Sequence, residues 1–269
     1  MQSDTTPSPP HPSTNGAWRL LVPAATSLAL LLGSVAWLHA TELNTAQFVG
    51  MQRWTVLYPD VMWSMLTLCG TGIAAYALIS PALVWHPRWM ASAISAGIFA
   101  AIYTRLLKAI FRVPRPAGVF DSIQIHVVGQ TLRANSFPSG HAVTAFMMAS
   151  TLTFASRRPV RTASWAVPIA LLIAISRVGV GAHWPADLLA GAAGGWIAGA
   201  LGVAVAERWR SWDTVRGIRT MAFMMMAVGV ALAIVELGQP LAVPLQRALA
   251  ILAFMCGLAA AVRPRARAS

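Results

Sequence analysis

The sequence predicts an all-α fold, built as a polytopic transmembrane helical bundle. Hydrophobic residues make up 57% of the 269 residues and charged residues only 10%, whereas about 25% of the residues in a typical soluble domain are charged. The apolar residues also lie in long runs, several of which reach the ~20 residues that a helix needs to span a bilayer. Composition and run length together therefore indicate an integral membrane protein.

Eight apolar runs follow one another along the chain. The first extends from about Leu20 to Ala40, which is long enough for a transmembrane helix and starts too late for a cleavable signal peptide. Short connections between the runs favour one compact bundle, and residues 1–17, rich in Ser, Thr and Pro, are predicted to be a disordered tail. The seven later runs lie at 61–84, 90–107, 141–156, 163–181, 185–206, 220–237 and 241–262.

The formal net charge of +12 comes almost entirely from arginine in a few loops. Because cytoplasmic loops of membrane proteins carry an excess of Arg and Lys, membrane topology explains this charge better than nucleic-acid binding does. With the N-terminus inside, eleven arginines fall on the cytoplasmic side: Arg88, Arg157, Arg158, Arg161, Arg208, Arg210, Arg216, Arg219, Arg263, Arg265 and Arg267. The cations on the outer side oppose this trend and need another explanation: Arg53, Lys108, Arg112, Arg115, Arg133, Arg177 and Arg247.

The sequence contains no pattern that predicts a metal site or a cofactor. The two cysteines, Cys69 and Cys256, lie inside apolar runs and are interpreted as packing residues, not as disulfide partners or zinc ligands. No cluster of carboxylates is present that would hold magnesium. We therefore expect a site whose charges all come from the protein itself.

Three short stretches carry polar groups that can bind and cleave a phosphate. The first, residues 108–116, begins with Lys108, the only lysine in a chain with nineteen arginines. The second is PSGH at 138–141, and the third is SRVGVGAHWPAD at 176–187. Arginine forks bind phosphate oxygens, an ammonium adds a point charge, and a histidine can attack phosphorus or transfer a proton. The three stretches therefore indicate phosphoryl transfer.

The local sequence context agrees with this hypothesis. Pro185 lies where helices commonly begin, which places His183 at the mouth of a helix and Asp187 one turn inside it. The carboxylate can then accept a hydrogen bond from one ring nitrogen and leave the other as an electron-pair donor. Ser139 precedes an apolar run and is expected to cap that helix, with the amides of Ser139 and Gly140 facing an anion.

Together the stretches match the signature KxxxxxxRP, PSGH, SRxxxxxHxxxD at every fixed position, and the chain thereby resembles the type 2 phosphatidic acid phosphatase and vanadium haloperoxidase superfamily. The match covers residues 108–187. The resemblance implies a bacterial membrane lipid phosphatase with a six-helix phosphatase core. We accordingly divide the chain into a transmembrane phosphatase core at 18–219, a C-terminal transmembrane hairpin at 220–263 and a basic cytoplasmic tail at 264–269.

The resemblance also implies roles for the site residues. His183 attacks phosphorus to form a phosphohistidine, Asp187 orients it, and His141 protonates the leaving oxygen. Water then hydrolyses the intermediate, with His141 acting as the base. Five residues are implied to bind the phosphate: Lys108, Arg115, Ser139, Gly140 and Arg177.

The substrate that the resemblance implies is a lipid phosphate monoester or diphosphate, such as undecaprenyl diphosphate, phosphatidylglycerol phosphate, phosphatidic acid or lipid A phosphate. Because all three stretches fall at the outer ends of the predicted spans, we expect a multi-pass protein of the bacterial inner membrane with its active site facing the periplasm. The expected partners are the bilayer and the lipid phosphate, and not nucleic acid. Two alternatives are a vanadate-dependent haloperoxidase and a non-catalytic membrane transporter or scaffold with the same fold.

Overall fold

The fold is all-α, as the sequence predicts. The computed structural model describes residues 15–121 and 123–263, so the predicted tail at 264–269 and all but the last three residues of the predicted tail at 1–17 lie outside the described residues. The described part contains no β-strand and eleven α-helices: α1 (Asn15–His39), α2 (Thr41–Thr55), α3 (Asp60–Cys69), α4 (Gly72–Ile79), α5 (Pro81–Trp85), α6 (Pro87–Phe111), α7 (Gly140–Ala155), α8 (Pro159–Gly179), α9 (Pro185–Arg208), α10 (Val215–Ile234) and α11 (Val243–Val262).

Six of these helices, within the part of the chain that is described, are long and apolar enough to cross a membrane: α1, α6, α8, α9, α10 and α11. Helices α3 and α4 pass the same test as a pair that is bent by 77°. Helix α7 has 16 residues, or about 24 Å at 1.5 Å per residue, which is short for a hydrocarbon core of ~30 Å. The eight predicted spans thus correspond to six full helices, one broken helix and one short helix.

The predicted span at 61–84 is not one continuous helix but the three segments α3, α4 and α5. Gly70 and Gly72 lie at the bend between α3 and α4, and Pro81 begins α5. A Cβ atom added at Gly70 would lie 2.8 Å from Cγ2 of Ile173 on α8, so only glycine permits this close approach. Apolar content alone does not report such a break, because all three segments are hydrophobic.

Helix α9 lies at the centre of the bundle, where α1, α6 and α7 pack around it. Glycines on α9 let α7 approach until the two backbones are in contact. A Cβ atom added at Gly195 would lie only 2.3 Å from the carbonyl oxygen of Val143 on α7, and one at Gly191 would lie 2.8 Å from that of Ser139. The distance between α7 and α9 is therefore set by backbone contact.

Helices α10 and α11 form the hairpin that the sequence predicts for the C-terminal extension. They pack on each other and against α4 and α5. Leu232 of α10 and Leu249 of α11 are buried in one cluster with Leu68 and Ala74. Helix α10 begins at Val215 rather than at 220. The extension therefore covers the side of the bundle that contains the broken span.

Helix α2 braces the end of the bundle at which the motif stretches lie. Gln52 Nε2 donates hydrogen bonds to the backbone oxygens of Val178 at 2.7 Å and His126 at 3.1 Å. Asn44 Oδ1 accepts a hydrogen bond from the amide of Ala186 at 3.2 Å, in the first turn of α9. Both polar side chains are buried, so breaking these bonds would leave unpaired groups away from water. Helix α2 thus joins the end of α8 to the start of α9.

Candidate active site

The three motif stretches lie at one end of the bundle, because each of them sits where a helix ends or begins. Lys108 is in the last turn of α6 and Arg177 in the last turn of α8, whereas Gly140 and Pro185 open α7 and α9. Hydrogen bonds link the first stretch to the third and the start of α7 to α9. The structure therefore brings these four helix ends together, as the topology drawn from charge predicts.

His183 and Asp187 form a buried pair. His183 Nδ1 lies 3.0 Å from Asp187 Oδ2, and both side chains are almost completely inaccessible. The amide of Trp184 donates to the same carboxylate oxygen at 2.9 Å, and the hydroxyl of Ser136 donates to it as well. Because three donors converge on one oxygen, the carboxylate has one orientation and holds the imidazole ring in one orientation with it.

The other ring nitrogen of His183, Nε2, faces Arg115. Arg115 Nη1 lies 3.1 Å from it, and because a guanidinium can only donate, Nε2 must offer its lone pair. The ring proton therefore lies on Nδ1, toward the carboxylate. Burial lowers the pKa of His183 well below its usual value, and the cations of Arg115, Arg177 and Lys108 lower it further. The imidazole is thus neutral, and the lone pair of Nε2 points toward the guanidinium of Arg115.

Arg115 and Lys108 are held by backbone oxygens. Arg115 Nε donates to the oxygen of Ala134 at 2.8 Å, and its Nη1 donates to that of Ala182 at 3.1 Å. Lys108 Nζ donates to the oxygen of Asn135 at 2.6 Å. Asn135 has a φ of 56°, a left-handed conformation that asparagine tolerates better than most residues. The loop before α7 therefore positions both cations near the imidazole.

Arg177 is buried beside α3. Its Nη1 donates to Oγ1 of Thr67 at 3.2 Å, rather than to the carboxylate on α9. Its backbone oxygen accepts hydrogen bonds from the amides of Ala182 and His183, which closes a tight turn after α8. Within the described residues its Nε has no hydrogen-bond partner. The guanidinium therefore has a donor left for a further acceptor.

Ser139 caps α7, as the sequence predicts. Its Oγ accepts the amide hydrogen of Ala142 at 3.4 Å, and the residue is fully buried. The amide of Ser139 was expected to face an anion, and this prediction is wrong. The amide donates instead to the backbone oxygen of Asp187 at 3.1 Å. That bond ties the start of α7 to the first turn of α9. Gly140, the next residue, is partly exposed.

His141 lies in the first turn of α7, next to the bend between α3 and α4. A Cβ atom added at Gly70 would lie 3.0 Å from Cβ of His141. His141 and Gly140 line a cavity of about 440 Å³ between α4, α6 and α7. The cavity follows α6 from Arg105 to Gly97, a distance of about 12 Å. It therefore connects the polar end of the bundle with its apolar middle.

Three polar residues at the site lie outside the signature. Ser136 is buried and contacts both members of the histidine–aspartate pair. Arg105 lies one turn before Lys108 on α6. That spacing alone could have indicated that the two side chains share one face of the helix. Thr67 lies on α3, far from the motifs in sequence, and no sequence pattern relates it to the guanidinium that it contacts.

Comparison with known protein families agrees with these motifs. A family model described as the PAP2 superfamily matches residues 89–211, a segment that contains every residue predicted for the site. The lipid A 1-phosphatase of Porphyromonas gingivalis is 40% identical over 76 residues, which amount to 28% of this chain and 17% of that protein. The match thus covers less than a fifth of the length of that curated relative.

Two solved structures have similar folds. LpxE of Aquifex aeolicus has a TM-score of 0.52 and 25% identity, over 62% of this chain and 96% of that one. The transmembrane PAP2-type phosphatidylglycerolphosphate phosphatase of Bacillus subtilis has a TM-score of 0.54 and 20% identity, over 71% of this chain and 100% of that one. At 20% identity, the likeness to the Bacillus subtilis protein establishes a similar fold only. Residues 89–211 of this multi-pass membrane protein are thus similar to the PAP2 superfamily.

Proposed function

We propose that the protein is a phosphoric ester hydrolase that removes phosphate from a lipid phosphate through a phosphohistidine. The observation that carries the proposal is the placement of the His183 ring, whose Nδ1 faces Asp187 at 3.0 Å and whose Nε2 faces Arg115 at 3.1 Å. A nucleophile is thereby held beside a cation that can bind phosphate oxygens. The PAP2 segment supports the same reaction class.

In the first step, the lone pair of Nε2 forms a bond to phosphorus while the bond from phosphorus to the leaving oxygen breaks. His141 gives its proton to that oxygen. The guanidiniums of Arg115 and Arg177 and the ammonium of Lys108 balance the charge on the equatorial oxygens. Asp187 stabilises the positive charge that the imidazole ring acquires.

In the second step, water attacks the phosphohistidine. His141, now unprotonated, takes a proton from the water, the bond between nitrogen and phosphorus breaks, and inorganic phosphate leaves. The electron pair returns to Nε2, so both histidines end in their starting states. Ser136 keeps its hydrogen bond to the carboxylate throughout and so holds the ring in place.

A lipid substrate is favoured by the cavity beside His141, because that cavity continues along α6 toward the middle of the bundle. Arg105 in its wall can contact a second anionic group on the same molecule. Two of the similar proteins are a lipid A 1-phosphatase and a phosphatidylglycerolphosphate phosphatase. We propose four substrates for comparison: lipid A phosphate, phosphatidylglycerol phosphate, undecaprenyl diphosphate and phosphatidic acid.

Phosphate release from these four lipids by the purified protein in detergent is the test. We expect release from at least one lipid, and weaker release from a water-soluble phosphate ester that lacks acyl chains. We also propose that no metal is needed, because the nucleophile and the cations are side chains. Across residues 15–121 and 123–263, no three His, Cys, Asp or Glu side chains are grouped to hold a metal ion. Activity should therefore survive EDTA, and vanadate should inhibit it.

Three outcomes would contradict this proposal in different ways. Folded protein that releases no phosphate from any of the four lipids would favour the transporter or scaffold. Halide oxidation that depends on added vanadate would favour the haloperoxidase. Activity that is lost in EDTA and restored only by a divalent ion would exclude the metal-independent mechanism.

The site is proposed to face the periplasm of a bacterial inner membrane, since the arginine-rich loops lie at the opposite helix ends. In a background without Cys69 and Cys256, a cysteine replacing exposed Ile123 should react with a membrane-impermeant thiol reagent in intact spheroplasts. A cysteine replacing exposed Val160, at the start of α8, should react only after permeabilisation. The opposite labelling pattern would place the site in the cytoplasm.

A further inference from the structure

The end of the bundle opposite to the candidate active site contains a basic cavity. It has a volume of about 620 Å³ and lies between the start of α6 and the loop from α7 to α8. Four arginines and four tryptophans contribute to its wall: Arg88, Arg157, Arg158, Arg161, Trp85, Trp89, Trp165 and Trp212. Arginine and tryptophan together are typical of the depth at which lipid headgroups lie.

Most of the charge in the basic cavity is not neutralised by the residues that the structure describes. Arg88 pairs with Glu207. No ion pair found within the described residues uses Arg157, Arg158 or Arg161, whose side chains are exposed at the cavity. Three neighbouring cations repel one another, and a bound anion would remove that repulsion. The positive-inside rule explains on which side these arginines lie, but it does not explain why they surround a cavity.

An apolar groove joins the basic cavity. It has a volume of about 380 Å³, is lined by α4, α7 and α8, and shares Trp89 and Trp165 with the basic cavity. The groove follows α8 from Trp165 to Ile173, which is about 12 Å. One leaflet of a bilayer has a hydrocarbon depth of ~15 Å. The groove is therefore long enough to hold most of an acyl chain within one leaflet.

We propose that the basic cavity and the apolar groove together bind one phospholipid with an anionic headgroup, from the leaflet opposite to the candidate active site. Its phosphate lies against Arg157, Arg158 and Arg161, which donate to the phosphate oxygens. Its glycerol backbone lies between Trp89 and Trp165, where the two cavities meet, and an acyl chain fills the groove. This lipid is a bound partner and not the substrate.

Native mass spectrometry of delipidated protein with added phosphatidylglycerol or phosphatidylcholine tests the proposal. We expect one phosphatidylglycerol per chain, bound at least fivefold more tightly than phosphatidylcholine. The triple variant Arg157→Gln, Arg158→Gln, Arg161→Gln should lose this preference. A matched triple variant with the same charge change on the same side, Arg208→Gln, Arg216→Gln, Arg219→Gln, should keep it. Lys108→Ala, at the opposite end, should also keep it.

Several results would overturn the proposal. Equal affinity for the two lipids, or equal loss in both triple variants, would mean that general surface charge holds the lipid. Loss of the bound lipid in Lys108→Ala alone would place it in the candidate active site. Full displacement by millimolar glycerol 3-phosphate would show a site for a free phosphate ester, with no part played by the groove.

Discussion

Replacement of His183 by alanine is expected to reduce phosphate release at least ~1,000-fold, equivalent to about 4 kcal/mol of activation free energy. The reason is that Nε2, which faces Arg115 at 3.1 Å, is the only protein atom proposed to form a bond to phosphorus. Initial rates with the best lipid substrate measure the loss. With labelled substrate and an alkaline quench, the wild-type protein should carry labelled phosphate, and the variant should not.

His126→Gln is a suitable control for the alanine variant. His126 lies in the loop between α6 and α7, at the same end of the bundle, but its ring pairs with Asp60 at 2.7 Å. This control should keep most of the wild-type rate and the covalent label. If His183→Ala is folded and retains a tenth of the wild-type rate, another group is the nucleophile and the proposed mechanism is wrong.

Replacement of Gly195 by alanine is expected to lower the free energy of unfolding by about 3 kcal/mol, the upper end of the range for overpacked sites. The added Cβ would lie 2.3 Å from the carbonyl oxygen of Val143, and neither backbone can move without separating α7 from α9. Thermal unfolding of the purified protein should show a decrease in Tm of about 10 °C. Activity should fall too, because His141 and His183 are attached to the two helices that separate.

Gly33→Ala provides the matched comparison. Gly33 lies on α1, which also packs against α9, but a Cβ atom there would meet only Cδ2 of Leu189, at 3.8 Å. The same chemical change should therefore alter Tm by no more than a few degrees. An equal decrease in Tm for both substitutions would contradict the role given to the contact between α7 and α9, because helix propensity alone favours alanine over glycine.

The sequence was sufficient to predict the helix ends that carry the site. Pro185 and Ser139 mark the starts of α9 and α7 through local rules, and charge places both ends on one side of the bundle. The spacing of four between His183 and Asp187 predicts their contact in the same way, because it needs only one helical turn. These features depend either on residues that are close in sequence or on the total charge of whole loops.

Features that depend on contacts between distant segments could not be predicted. The hydrogen bond from Arg177 to Thr67 joins two helices that no motif relates. The amide of Ser139 likewise donates to the carbonyl oxygen of Asp187 on α9. The bend between α3 and α4 could not be predicted for the same reason, since Gly70 is needed where Ile173 approaches. Hydropathy and spacing describe a helix by itself, whereas these features arise where helices meet.

The backbone contact between α7 and α9 also has a consequence for changing the specificity of the protein. A larger side chain at Gly191 or Gly195 would collide with the backbone of α7 and so shift the helix ends next to His141 and His183. On the facing side, α4 and α6 contribute the side chains of Tyr76 and Thr104 to the cavity. A mutant library aimed at new lipid headgroups or chain lengths should therefore vary cavity positions such as Tyr76 and Thr104, and leave Lys108 and the glycines of α9 unchanged.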